Sequence, residues 1–232
     1  MKKKTPGPRG VKKKTRVKTA KRRSSSSTRW LERQLNDPYV AEAKRKGYHS
    51  RAAFKILEMH ESLEIFKPGQ RVIDLGAAPG GWTQVACAVV RPLETGGKVV
   101  AIDYLDMKPV AEAQFFKMDF TEEEASRLLT DAVGGKADVV MSDMAPPTTG
   151  HKQTDHLRIM ALAEDAYAFA REILNPEGVF LAKVFQGGSE KELLAQMKQD
   201  FKKVKHVKPP ASRSDSAEMY VVAMGFRAAA SE

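Results

Sequence analysis

Apolar positions along this chain follow two rhythms. Between residues 30 and 63 they recur every three to four positions, and from Arg71 onward short apolar runs alternate with amphipathic stretches. The first rhythm predicts helices: one starting over Trp30–Leu35, one from Pro38 to Lys46 with Asp37 as N-cap and Gly47 as its stop, and one from Arg51 capped by Ser50. In the last of these, Ala53, Phe54, Ile56 and Leu57 face the core, while Lys55 between them reads as a snorkelling surface lysine. The second rhythm predicts strands at 71–75, 98–103, 114–118, 137–142, 178–185, 203–208 and 218–225, and helices at about 81–91, 121–132, 154–174 and 189–200. Asn175-Pro176 and Gly187-Gly188 read as breaks. Such alternation makes an α/β fold: a doubly wound, mostly parallel seven-stranded sheet with helices on both faces. No long helix separates the last two strands, so they form an antiparallel hairpin at one edge.

In such a sheet, ligands bind at the carboxyl ends of the strands, and polar residues stand there in turn. Asp74 closes the first strand, Asp103 the second, Asp119 follows the third, Asp143 the fourth, and Lys183 lies near the end of the fifth. After Asp74 comes a tight turn with Gly76, Gly80 and Gly81, leading through Trp82 into a helix. Glycines suit a loop whose bare backbone lies against a ligand. Ala78 and Pro79 break the G-x-G-x-x-G spacing and remove one N–H, which makes the loop a poor pyrophosphate cradle. S-adenosyl-L-methionine, an adenosine without phosphate, suits it better than NAD. Asp103 falls 22 residues beyond Gly81, where an acid takes the ribose hydroxyls of an adenosine-type cofactor. Asp119 is placed to accept from the adenine amino group, although either aspartate alone could equally cap a helix.

Charge divides the chain in two. Residues 1–29 hold eight Lys and five Arg and no acid, so the net +10 of the 232-residue chain leaves −3 for residues 30–232. With Gly, Pro and Ser in place of apolar residues, residues 1–29 are expected to be a disordered basic tail, the electrostatic footprint of a nucleic-acid binder. Residues 30–232 form a single domain. The tail has too few apolar residues for a transit peptide and no secretory h-region. No run approaches the roughly 18 apolar residues of a membrane span. The single cysteine, Cys87, reads as a small buried hydrophobe, and a cytoplasmic protein is expected. The five histidines (49, 60, 151, 156 and 206) have no compact ligand spacing, so no metal site is expected.

With Lys55, Val72–Trp82, Asp103, the segment Ser142-Asp143-Met144-Ala145-Pro146, Lys183 and Glu218 in place, the chain resembles the FtsJ/RrmJ family of S-adenosylmethionine-dependent ribose 2′-O-methyltransferases over residues 30–226. The resemblance implies the Rossmann-like methyltransferase sheet and a Lys-Asp-Lys-Glu tetrad at Lys55, Asp143, Lys183 and Glu218. It also implies a cofactor site using Asp74, Gly76, Gly80, Gly81, Trp82, Asp103, Asp119 and Asp143. It further implies methylation of a uridine ribose in large-subunit (23S) rRNA, with the large ribosomal subunit as partner, supporting its maturation, and a monomeric enzyme. Lys183 is then the candidate base, Asp143 and Lys55 orient it and tune its charge, and Glu218 holds the network or the sugar.

Neighbouring reactions fit less well. Thr148 stands where amino-group methyltransferases stack an aromatic ring on the target base, and Cys87 sits on the cofactor-loop helix rather than where a pyrimidine carbon-5 nucleophile would be needed. Two alternatives stay open: a non-catalytic RNA-binding assembly factor on the same fold, and 2′-O-methylation of tRNA or an mRNA cap. No cap-stacking aromatic set is evident among the five Tyr and two Trp.

Overall fold

A computed structural model describes residues 15–17, 19–22, 24–185, 191–214 and 216–227. The N-terminal helices are α1 (Ser25–Asn36), α2 (Pro38–Lys46) and α3 (Ala53–Leu63). Asp37 caps α2 through its side chain, 3.0 Å from the Tyr39 N–H, with Pro38 in the first turn, and Gly47 ends it at φ 75°. Two expectations need correcting here. Helix α1 starts at Ser25 with Ser24 as its side-chain cap, so the serine run assigned to the disordered tail forms a helical first turn. Residues 1–14, the rest of that assignment apart from short described pieces, lie outside the described residues. Helix α3 begins two residues later than expected, and Ser50 caps nothing with its side chain. Its carbonyl takes the Ala53 N–H at 3.3 Å, while its hydroxyl is buried against Gly81.

From Arg71 the elements are β1 (Arg71–Leu75), α4 (Gly81–Val90), the short α5 (Pro92–Thr95), β2 (Lys98–Asp103), β3 (Ala113–Lys117), α6 (Glu123–Val133) and β4 (Ala137–Ser142). Then come α7 (Lys152–Ile173), β5 (Leu174–Phe185), α8 (Lys191–Asp200), β6 (Phe201–Val207) and β7 (Glu218–Phe226). They build one seven-stranded sheet in the order β3-β2-β1-β4-β5-β7-β6. β7 runs antiparallel between β5 and β6, so the expected terminal hairpin is present with β6 at the edge. The chain leaves β1 toward β2 on one side and returns as β4 on the other. That reversal opens a crevice at the carboxyl ends of β1 and β4.

The expected break at Asn175-Pro176 lies inside β5. Leu174 pairs with Ala137 and Val179 with Val139, so extra residues bulge out between them, with Glu177 at φ 66°. The expected glycine break at 187–188 lies outside the described residues. Each face of the sheet has its own core. Ile73, Val140, Phe180 and Val221 pack under α6 and α7 on one face, and Val72, Met141, Leu181, Tyr220 and Val222 pack under α3 and α4 on the other.

Candidate active site

Three neighbouring strands set one row of side chains side by side on the α3 face. Ser142 pairs with Ala182 across β4 and β5, which puts Asp143, the next residue, beside Lys183. Lys183 in turn pairs with Tyr220 across β5 and β7. Glu218, two residues from Tyr220, shares its face because side chains alternate along a strand. Lys55 reaches this row from α3, where Phe54 and Ile56 bury the helix on either side of it. It is therefore no surface lysine.

The row forms one hydrogen-bonded network. Lys183 Nζ donates to the Asp143 carbonyl at 2.7 Å and to Asp143 Oδ1 at 3.1 Å. The Tyr220 hydroxyl donates to the same Oδ1 at 3.0 Å and accepts from Lys55 Nζ at 3.0 Å. Lys55 Nζ also lies 2.7 and 2.9 Å from the two Glu218 oxygens, one of which accepts from Ser212 Oγ at 3.0 Å. Burial pushes the Asp143 carboxyl up, but the Lys183 and Lys55 cations, with hydrogen bonds from Lys183 and Tyr220, outweigh it and hold the group below the usual carboxylate range. Burial, with the Asp143 and Glu218 charges, pushes the Tyr220 phenol well up, so it stays a neutral donor. Tyr220 thus joins a Lys183–Asp143 pair to a Lys55–Glu218 pair.

The network stands between two cavities. Its Asp143 end lines a cavity of about 610 Å³ at the β1/β4 crevice, within the range of small-ligand sites, together with Gly76, Asp103, Asp119 and Phe120. Its Lys55–Glu218 end lines a second cavity of about 310 Å³. In the larger cavity Asp103 is anchored by the Ala78 N–H at 2.9 Å and the Leu105 N–H at 2.8 Å. A carboxylate has about four acceptor positions, so two remain for a ligand. One oxygen of Asp119 accepts from the Thr121 N–H and hydroxyl. Gly76 is required where it is: a Cβ there would fall 2.9 Å from the Met144 backbone and part the β1 and β4 loops.

Four of the expected cofactor residues do not line that cavity. Asp74 is fully buried beneath it, accepting from Thr83 Oγ1 at 2.6 Å, and its other oxygen has no partner among the described residues. Burial, opposed by the Thr83 hydrogen bond and reinforced by the Asp143 and Asp103 charges, pushes its carboxyl up to about 7. Gly80 and Gly81 lie where side chains would strike His49, Ser50 and Ala53, and Trp82 is buried with its indole N–H 2.9 Å from the Ala52 carbonyl. Gly81 and Trp82 hold α4 against the start of α3, while Gly80 lets the loop pass His49 and Met107. Sequence reasoning missed Tyr220, and at the cavity mouth it missed Tyr104, Leu105 and Arg158. Tyr104 and Leu105 follow Asp103 directly and are half exposed, so a position beside a strand-ending acid was their available signal.

The sequence matches the model of FtsJ-like methyltransferases over residues 48–226. The chain belongs to that family. Among related FtsJ-like methyltransferases, the ribosomal RNA large subunit methyltransferase E of Azorhizobium caulinodans is 59% identical over 217 residues, covering 94% of this chain and 90% of its own. The protein of the same name from Paramagnetospirillum magneticum is 61% identical over 214 residues, covering 91% and 88%. A ribosomal RNA methyltransferase from Plasmodium falciparum shares the fold with a TM-score of 0.68 at 27% identity, over 77% of this chain and 98% of that one. Among the described residues of this FtsJ-like methyltransferase, no helix is long and apolar enough to cross a membrane, and no three His, Cys, Asp or Glu side chains cluster to hold a metal ion.

Proposed function

We propose that the chain methylates the 2′-hydroxyl of a uridine ribose in large-subunit (23S) ribosomal RNA, within the large ribosomal subunit, using S-adenosyl-L-methionine. The observation that carries this reading is the Lys183–Asp143–Tyr220–Lys55–Glu218 network standing between two cavities. The larger cavity suits a cationic donor. Asp103, Asp119 and Asp143 line it with Arg158, and Asp74 lies outside the lining as a carboxyl whose proton affinity is raised chiefly by burial, with the Asp143 and Asp103 charges adding to it. A phosphorylated cofactor would meet these carboxylates as like charges. Asp103 would take the ribose diol, Asp119 and the apolar Phe120 would border the adenine, and Asp143 would face the donor's positive end. The bound donor supplies a methyl group on a positively charged sulfur, a sufficient electrophile for an alcohol oxygen.

The chain's own task is to align that oxygen and take its proton. As an ammonium, Lys183 has three N–H bonds, and two are given to the Asp143 carbonyl and carboxylate. Release of the third proton to solvent water, before the ribose is seated, would keep both bonds and leave a lone pair at the vacated position. Lys183 is thereby held in the orientation in which a neutral amine accepts the ribose proton. Lys55, fixed by Glu218 and Tyr220, borders the second cavity and positions the sugar. The basic tail adds affinity through phosphates without sequence choice.

The test is to incubate the protein with labelled S-adenosyl-L-methionine and large subunits from cells lacking the enzyme, then map the label. A single ribose 2′-O-methyl uridine in large-subunit RNA is expected. Label on a base, or nowhere despite cofactor binding, would overturn the reading.

A further inference from the structure

The smaller cavity is lined by Arg33, Arg51, Lys55, Arg213, Ser216 and Glu218. Lys55 and Glu218 belong to the network; the three arginines do not. They come from three separate segments: α1, the turn before α3, and the connection between β6 and β7. Asp37 gathers two of them. While its Oδ1 caps α2, its Oδ2 lies 3.1 Å from Arg51 Nε and 3.7 Å from an Arg213 terminal nitrogen. Arg51 is further held by a hydrogen bond to the Ala211 carbonyl and by the Tyr39 ring, 5.6 Å from its guanidinium carbon. Among the described residues no carboxylate pairs with Arg33. Three guanidinium groups and an ammonium thus face three carboxylates, Asp37, Glu218 and, behind Arg51, Glu58, which leaves one excess positive charge in a cleft whose Arg51 and Arg213 are already held.

We infer that this cavity binds an RNA backbone phosphate, the phosphodiester on the 3′ side of the methylated ribose, with Arg51, Arg213 and Arg33 as its donors. The inference rests on the proposed function: if a ribose 2′-hydroxyl is presented to Lys183, the neighbouring ribose carbon bears the 3′-phosphate. A phosphate therefore has to lie next to the network. The cavity sharing Lys55 and Glu218 with that network is the basic one, and the larger cavity is rich in carboxylates. Guanidinium forks match phosphate oxygens in pairs, and arginines already fixed by Asp37 lose little freedom on binding. The root of the basic tail lies on the same helix as Arg33. Thr15 exchanges two hydrogen bonds with the Asn36 side chain at the end of α1, at 2.6 and 2.8 Å. The chain therefore enters α1 from a point tied to that helix, and residues 1–14 hold seven further Lys and Arg for phosphates along the same backbone.

Arg213→Gln and the double variant Arg33→Gln/Arg213→Gln test this, because both leave the Asp37–Arg51 pair in place. With unmethylated large subunits as substrate, KM is expected to rise about ten-fold for each arginine–phosphate pair removed, with kcat within about two-fold. The affinity for S-adenosyl-L-methionine by calorimetry should match that of the parent protein. The log–log salt slope of RNA binding should become shallower by about 0.7–0.9 per pair, and Arg213→Lys should restore most of that slope. An unaltered KM and salt slope in the double variant would overturn the phosphate site while leaving the proposed function standing. A fall in kcat at constant KM would also overturn it, by placing the arginines in the chemistry. Failure of the parent protein to methylate large-subunit RNA would instead remove the reading on which the site rests.

Discussion

Replacing Tyr220 with phenylalanine removes one oxygen from the centre of the network and little else. The ring keeps its packing against Trp82, at 5.4 Å between centroids, so the core beneath α3 stays filled. Two hydrogen bonds to charged groups disappear, one to Asp143 Oδ1 and one from Lys55 Nζ, each at 3.0 Å. Bonds of that kind are worth roughly 1.5–3 kcal/mol apiece. Neither charge is orphaned, because Lys55 keeps both Glu218 oxygens and Asp143 keeps Lys183. The net loss should therefore fall near the lower bound for a single bond, at about 1.5–2 kcal/mol. If that loss falls on the alignment of Asp143 and Lys183, single-turnover methyl transfer should slow by about 10- to 30-fold. Calorimetric affinity for S-adenosyl-L-methionine should stay within about two-fold, since Tyr220 does not line the larger cavity, the one proposed to hold it. A single-turnover rate within two-fold of the parent would refute the reasoning, because the bridge between the two ion pairs would then have no part in the chemistry.

Two further outcomes concern Asp103, in the larger cavity, and the buried Asp74. Asp103→Ala should weaken S-adenosyl-L-methionine by about 1.5–3 kcal/mol, the loss of charge-assisted acceptance from the ribose hydroxyls; unchanged calorimetric affinity would remove that assignment. Asp74 should be visible in the pH dependence of stability of the ligand-free protein. Its folded pKa is raised to about 7 against an unfolded value of about 3.9, so its contribution is full below pH ~4, declines as pH rises, and levels off above about 7. Asp74→Asn should flatten that decline, raising stability at pH 8 relative to pH 4 by up to about 4 kcal/mol in paired urea titrations. Identical pH profiles for the two proteins would place the Asp74 proton elsewhere.

Most of the architecture was legible because hydrophobic rhythm and strand-end polarity are local signals. The aspartates at 103 and 143 stand at the crevice because a doubly wound sheet puts its strand ends there, whatever its side chains do. What was not legible depends on register between strands distant in sequence. Tyr220 sits in an apolar run and reads as core; only the pairing with Lys183 across β5 and β7 turns its hydroxyl toward Asp143. Lys55 reads as a snorkelling lysine because Glu218, its partner, is 163 residues away. Gly81 and Trp82 belong to a ligand loop by spacing, yet their neighbours Ser50, Ala52 and Ala53 make them packing residues. Ser50 has the composition of a cap, but its hydroxyl packs against Gly81 instead.

In the proposed reaction Lys183, held by the Asp143 carbonyl and carboxylate, takes the ribose proton. Lys183→Arg tests this step most directly, since arginine preserves charge and donors but cannot deprotonate near neutral pH. Single-turnover transfer to unmethylated large subunits should be abolished while calorimetry shows S-adenosyl-L-methionine still bound. Near-normal transfer by Lys183→Arg would contradict the account and reduce position 183 to an electrostatic guide for the hydroxyl.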